Sequence, residues 1–128
     1  MDGPKKKELV WVGSSLGDLR EFPEAVKDVM GFALYLAQTG GKHPATKPLK
    51  GFGGAGVLEV ADDFDGDTFR TVYTVKLAEA VYVLHAFQKK ARKGIATPKH
   101  EIEMVRERYR RAVEIHQQRS SPRQEKRR

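Results

Sequence analysis

Three strand-like runs joined by short polar connections constrain the fold of this chain more than any other feature. They span residues 57–61, 69–75 and 80–88, and Val, Tyr, Phe and Thr dominate them, the residue types that suit a pleated, half-buried surface. The connections are residues 62–68, which contain an Asp-Gly pair, and residues 76–79. Because a parallel crossover needs a dozen or more residues, connections this short allow only antiparallel neighbours. The sequence therefore predicts a three-stranded antiparallel meander.

The segments before the meander predict an edge strand and two helices. Residues 8–12 form a short strand-like run, long enough to add an edge strand to the sheet. The apolar residues that follow recur in steps of three and four, which indicates the buried face of amphipathic helices. Pro23 interrupts this pattern and suits the first turn of a new helix. We expect helices over residues 16–22 and 23–38, packed together on one side of a small antiparallel sheet in an α+β fold.

A third helix is expected after the last strand. Thr97 and Pro98 provide an N-cap followed by proline at the first helical position, and apolar residues at helical spacing continue to about Gln117. The end of the chain is too polar and charged to join a core. Residues 1–117 are therefore predicted to form one domain, and residues 118–128 a disordered basic tail.

Positive charge is concentrated in the second half of the chain. The net charge is +7, and residues 1–64 hold 8 Lys and Arg against 9 Asp and Glu, whereas residues 65–128 hold 16 against 8. The two halves thus carry net charges of −1 and +8. Such asymmetry favours a polyanionic partner, nucleic acid first, with a solvated basic face and a disordered tail as the alternative.

Several classes of protein are disfavoured by composition. The chain has no cysteine, so it has neither disulfides nor thiolate chemistry, which fits a reducing compartment. Its N-terminus lacks the long apolar region of a signal peptide. No run approaches the ~20 apolar residues of a membrane span. We expect a cytoplasmic protein with no membrane partner.

Two motif-like segments are better explained as loops. Residues 51–56 have the spacing G-x-G-x-x-G, but a dinucleotide site needs a strand before it and a helix after it, and here the predicted order is reversed. Asp63, Asp65 and Asp67 have EF-hand-like spacing, but the sixth position is Thr68 and the twelfth is Thr74. The histidines lack metal-ligand spacing. The sequence predicts neither a metal nor a cofactor.

Two polar residues within the predicted strands invite more than one explanation. Arg70 is a charge in an otherwise apolar strand, and a partly buried arginine needs a carboxylate or a phosphate. Glu59 in the preceding strand is the internal partner, so an ion pair and a phosphate site both remain open. His85 alternates onto the face of Val83 and Phe87. A lone histidine in a strand is more often a core residue than a catalyst.

The ordered set of elements and motifs resembles the RelE/ParE superfamily of bacterial toxins, and within it the phage-related, HigB-like branch. The resemblance covers nearly the whole chain except the tail. It is carried by DLREFPEAV at residues 18–26, KPLKGFGGAGVLEV at 47–60, FRTVYTV at 69–75, VLHAFQKKARK at 83–93 and TPKHEIEMVRERY at 97–109.

This resemblance implies the toxin of a type II toxin–antitoxin system, a ribosome-dependent mRNA endonuclease that inhibits translation without a metal and pairs with a helix-turn-helix antitoxin. In such cleavage the ribose 2′-hydroxyl attacks the adjacent phosphate, which requires a base, positive charge on the phosphorane and an acid. Arg70 matches the family's strand arginine, implied to stabilise phosphate charge. Lys89 and Lys90 match the basic residues after the last strand, implied to bind phosphate or transfer protons. His85 has the chemistry of an acid or a base.

Further basic residues are expected to bind the nucleic acid: Lys47, Lys50, Arg92 and Lys93. RelE-type members carry lysines where this chain has Leu58, Glu59 and Val60. The same fold also serves ParE-like toxins that inhibit gyrase, and a third alternative is a non-catalytic nucleic-acid binder. A strand arginine and a lysine pair converging beside one sheet favour the nuclease.

Overall fold

One mixed sheet lies between two layers of helix in the computed structural model, which describes residues 5–54, 56–89 and 96–120. Within these ranges five strands form the sheet in the order β1-β5-β4-β3-β2, and three helices pack on it. The elements in chain order are β1 (Glu8–Trp11), α1 (Ser15–Arg20), α2 (Glu24–Gln38), β2 (Thr46–Pro48), β3 (Val57–Phe64), β4 (Asp67–Thr74), β5 (Ala80–Lys89) and α3 (Lys99–Ser120).

The predicted meander is confirmed, with longer strands than the sequence indicated. β3 pairs antiparallel with β4, and β4 pairs antiparallel with β5. Asp65 and Gly66 both have positive φ, 51° and 88°, and Phe64 pairs directly with Asp67. Positive φ at both central positions defines the two-residue turn that suits the twist of a hairpin. Because the turn takes only two residues, β3 continues to Phe64 and β4 starts at Asp67.

The two edges of the sheet differ from expectation. β1 is an edge strand as predicted, but it runs parallel to β5, so the sheet is mixed rather than wholly antiparallel. The start of α1, which follows β1 in the chain, is anchored to β5 by a hydrogen bond of 3.1 Å from Ser15 Oγ to the carbonyl of Val83. At the other edge, β2 pairs antiparallel with β3 inside a segment predicted to be a loop. Its three residues are too few to show alternation.

The helices cover opposite faces of the sheet. α1 and α2 pack on one face, as predicted. Met30 and Leu34 of α2 are buried there, together with Phe22 from the connection between the two helices. α3 packs on the other face through Val105 and Ala112. α3 ends at Ser120, three residues beyond its predicted end, and residues 121–128 of the predicted tail lie outside the described residues. None of the helices in the described ranges is long and apolar enough to cross a membrane.

A β-bulge in β5 changes which side chains face α3. Val72 pairs with His85 but Tyr73 pairs with Val83, so Leu84 is an extra residue in β5. Beyond the bulge the alternation is inverted, because one inserted residue exchanges the two faces. The prediction that His85 shares the face of Val83 was therefore wrong, since Val83 packs toward α1 and α2 whereas His85 bonds to α3.

Candidate functional site

An open groove with a volume of about 830 Å³ lies on the α3 side of the sheet. Strands β3 and β4 form its floor, the segment around β2 forms one wall and the start of α3 forms the other. The residues that line this groove include Lys47, Lys50, Glu59, Ala61, Thr68, Arg70, Thr97 and Ile102.

A closed polar network lies on the floor of the groove. Arg70 Nη1 is 3.2 Å from Glu59 Oε1 and donates to Thr97 Oγ1 at 2.9 Å, and Thr97 Oγ1 donates to Glu59 Oε2 at 2.8 Å. Glu59 and Arg70 are diagonal neighbours, because Glu59 pairs with Val72 and Arg70 pairs with Ala61. Their side chains are only 13% and 8% exposed. The internal ion pair that the sequence allowed is therefore present, and it faces the groove.

This network combines a proton acceptor with a fixed positive charge. Hydrogen bonds from ionised groups are shorter and stronger than neutral ones, and the low exposure of both side chains strengthens their attraction. Thr97 joins the network from just before α3, 27 residues from Arg70. The sequence identified Thr97 only as a helix cap, and no local pattern indicates its contact with Glu59.

The predicted lysines are placed unequally around the groove. Lys47 lies opposite Glu59 in the sheet register and is exposed, as is Lys50 on the same wall. Lys89 is buried and pairs with Thr68, a residue that lines the groove. Three further predicted site residues lie outside the described residues: Lys90, Arg92 and Lys93.

His85 lies under α3, where protein groups occupy both of its ring nitrogens. Nε2 is 2.6 Å from Glu101 Oε1, and Nδ1 is 3.2 Å from Arg108 Nη1. Arginine has only donors, so Nδ1 accepts and the neutral ring carries its proton on Nε2. Burial lowers the pKa of His85, and the hydrogen bond to Glu101 opposes this effect. The ring also stacks on Phe87 with centroids 4.9 Å apart. This geometry directs both nitrogens of His85 into the protein rather than into the groove.

Arg108 ties the bulge to two other elements. Its Nη1 donates to the carbonyl of Leu84 at 3.0 Å, and its Nη2 donates to Ser14 Oγ at 2.9 Å. Arg108 is one of four arginines between residues 106 and 111, and the sequence does not indicate a partner for it. Its internal role depends on the bulge carbonyl, and a bulge leaves no mark in the sequence pattern.

The two loop motifs have structural roles. The glycine-rich segment connects β2 to β3, so no helix follows it. In the aspartate-rich hairpin, Asp63 accepts a hydrogen bond from Thr68 and Asp67 accepts one from Gln88. Within residues 5–54, 56–89 and 96–120, no three His, Asp or Glu side chains are grouped to hold a metal ion.

Comparison with known proteins first establishes the class. The family model described as "Phage derived protein Gp49-like (DUF891)" matches residues 17–110, which include the groove and Arg108. The chain therefore belongs to the Gp49-like family of phage-derived proteins. Its architecture is the RelE-like fold, which confirms the fold that the resemblance implied.

Two solved structures are among those that match the chain. A mutant of E. coli toxin RelE in the free state matches with 15% sequence identity and a TM-score of 0.54, covering 83% of this chain and 97% of that chain. The toxin–antitoxin complex RelBE2 from Mycobacterium tuberculosis matches with 16% identity and a TM-score of 0.44, covering 70% of this chain and 99% of that chain. A search of curated proteins found no match.

Proposed function

We propose that this protein is the toxin of a type II toxin–antitoxin system and that it inhibits translation by cleaving mRNA on the ribosome without a metal. The observation that carries the proposal is the Glu59–Arg70 pair, with Arg70 buried and Glu59 partly buried, on the floor of a groove with two exposed lysines on its wall. The RelE-like fold supports it, because this fold is known in toxins. A carboxylate and a guanidinium side by side are suited to moving a proton from a hydroxyl beside a phosphate.

In the proposed reaction Glu59 is the general base. It accepts the proton of the ribose 2′-hydroxyl while that oxygen forms a bond to the adjacent phosphorus, and the bond from phosphorus to the 5′ oxygen breaks. Arg70 stabilises the negative charge that builds on the phosphorane oxygens, as a preorganised cation does at little reorganisation cost. The products are a 2′,3′-cyclic phosphate and a 5′-hydroxyl. Glu59 thus lies on the strand where RelE-type members carry lysines.

The departing 5′ oxygen requires a proton from an acid. Lys89, which pairs with Thr68 beside the groove, and Lys90, which follows it, are the proposed donors. Lys47 and Lys50 bind the flanking phosphates, together with Arg92 and Lys93. His85 is assigned a positioning role, because Glu101 and Arg108 occupy its two nitrogens.

The proposal includes a small helix-turn-helix antitoxin and a cytoplasmic site of action. Uncompensated positive charge around the groove is complementary to an acidic or amphipathic segment of such a partner. We expect the antitoxin to cover the groove and to compete with the ribosome. A complex that bound ribosomes as tightly as the free protein would exclude this mode of inhibition.

Glu59→Gln tests the reaction, because glutamine keeps the size of the side chain and one acceptor oxygen but removes the base. We expect the variant to remain folded but to be less stable, because Arg70 loses its counter-charge. We expect mRNA cleavage per folded protein to fall about 100-fold or more, the scale of general-base catalysis. Cleavage is measured by mapping new mRNA 5′ ends after induction. Glu103→Gln is the matched control, since it removes the same charge from an exposed position on α3.

The same experiment separates the alternative functions. Growth arrest with DNA damage and no new mRNA ends would contradict the nuclease and favour gyrase inhibition. Unchanged cleavage by Glu59→Gln would exclude Glu59 as the base.

A further inference from the structure

The basic surface of the groove continues onto α3 through the loop that follows Lys50. Lys50 is part of the groove wall, and the carbonyl of the next residue, Gly51, accepts a hydrogen bond of 3.2 Å from Arg106 Nη1. The guanidinium carbon of Arg106 also lies 4.8 Å from the centroid of the Phe52 ring. Arg106 is exposed, so two contacts hold a charged group in place at the surface.

The position of Arg106 along α3 aligns it with the groove. Ile102 lines the groove, and Arg106 follows it by four residues, which is one helical turn on the same side of the helix. The rise over four residues is about 6 Å. A strand that leaves the groove past Ile102 along α3 therefore meets Arg106 one turn further on.

We propose that Arg106, oriented by Phe52, is a second phosphate subsite for single-stranded RNA leaving the groove, an inference that rests on the proposed function. Guanidinium carries five donors in a planar fork that matches phosphate oxygens, and the carbonyl of Gly51 occupies only part of this fork. The ring contact and the hydrogen bond restrict the side chain before RNA arrives, which reduces the entropy lost on binding. RNA is the favoured occupant because the subsite is continuous with the groove.

The test uses a short single-stranded oligonucleotide with 2′-O-methyl riboses, which cannot be cleaved, so binding is measured apart from the reaction. Its dissociation constant is determined at several salt concentrations for the wild type and three variants. Arg106→Ala should weaken binding about fivefold and reduce the slope of log affinity against log salt by about 0.7, the value for one phosphate contact on a single strand.

Arg111→Ala is the matched control. It removes the same charge from the same helix, but its position lies about 140° round the axis from Arg106, and Arg111 has its own partner in Glu114 at 3.6 Å. We expect its salt slope to equal that of the wild type. Phe52→Leu should keep the wild-type slope, because the charge remains, and should weaken binding about twofold through lost orientation.

Equal salt slopes for the Arg106→Ala and Arg111→Ala variants would overturn the subsite and leave the groove proposal standing. A wild-type protein that does not bind the oligonucleotide at all would overturn both. A lower slope for Arg106→Ala alone supports the subsite, and it does so even if mRNA proves not to be cleaved.

Discussion

At the scale of single residues, Arg70 both forms the internal ion pair and lines the groove, two features that the sequence left as alternatives. Its side chain is bonded to Glu59 and Thr97 before any substrate is present, and it still faces the groove. An arginine held by protein groups is already oriented for phosphate. In the proposed reaction Arg70 shares its donors with the phosphate, and Glu59 then accepts the proton.

Arg70→Ala should therefore affect both stability and cleavage. Breaking a buried ion pair strands its partner at a cost of roughly 3–5 kcal/mol, and we expect about 3 kcal/mol because Thr97 still bonds Glu59. Urea unfolding measures this cost, and mapping of mRNA ends should show a loss of about 100-fold or more. The double variant Glu59→Gln with Arg70→Ala should regain part of the stability, since no charge is stranded. An unchanged unfolding midpoint for Arg70→Ala would show that the pair contributes nothing to the fold.

His85 predicts a dependence of stability on pH. Its pKa in the folded protein lies below the ordinary value of 6.5 because of burial, so the unfolded chain binds the proton more readily. The contribution of His85 is full above pH 6.5 and is lost as the pH falls through the folded pKa, with a slope of at most about 1.4 kcal/mol per pH unit. Unfolding of the wild type and His85→Gln between pH 8 and pH 5, about the titration range of histidine, should show a flatter profile for the variant. Parallel profiles would contradict this assignment.

At the scale of elements, the bulge in β5 and helix α3 depend on each other. Leu84 is the extra residue, and its carbonyl is bonded by Arg108 of α3. The same arginine reaches Ser14, just before α1. One side chain thus links α3 to β5 and to the residue before α1. It helps to hold in place the helix whose first residues form one wall of the groove.

Arg108→Ala should destabilise the fold by about 3 kcal/mol, because it leaves a buried carbonyl and the ring of His85 without their donor. Arg110→Ala is the matched control, since Arg110 is exposed on the same helix and surface substitutions change stability by about 0.5 kcal/mol or less. Urea unfolding of both variants measures the difference. Equal unfolding midpoints for the two variants would show that the contacts of Arg108 do not stabilise the fold.

At the scale of the whole molecule, the distribution of charge predicts how the protein meets its partner. The second half carries +8 and the first half −1, and the groove places Lys47 and Lys50 of the first half beside Arg70 of the second. Folding thereby brings three cations from segments far apart in sequence to one groove, whose lining also includes Glu59 and Asp63. Such a surface attracts polyanions at long range, and salt screens the attraction.

Binding to ribosomes should therefore weaken steeply with salt. If four phosphates are neutralised, counterion release predicts a loss of about 50-fold between about 50 and 200 mM salt. Co-sedimentation with ribosomes measures this loss. Replacing both Lys47 and Lys50 by alanine should flatten the dependence, whereas replacing Lys5 and Lys6, an equal change in charge, should not. Affinity that is independent of salt would contradict binding through phosphates.

Features that depend on residues close together in the chain were predicted from the sequence, whereas features that depend on contacts between remote residues were not. The meander and the three helices were predicted because apolar periodicity and turn residues act within a few positions, and even the Asp-Gly turn was visible. β2 was missed because three residues cannot show a period. The parallel pairing of β1 was missed because β1 and β5 are remote in the chain, and no local pattern sets their relative direction.

The sequence by itself determined the α+β class, the meander, the two helices on one face and the ion pair available to Arg70, since these rest on local patterns and on charge. Only the tertiary structure decided that Thr97 closes the network with Glu59, that the bulge turns His85 toward α3, and that Arg108 is internal. These features join residues that are remote in the chain. Their energies depend on burial and geometry, and neither exists until the sheet and α3 have packed together.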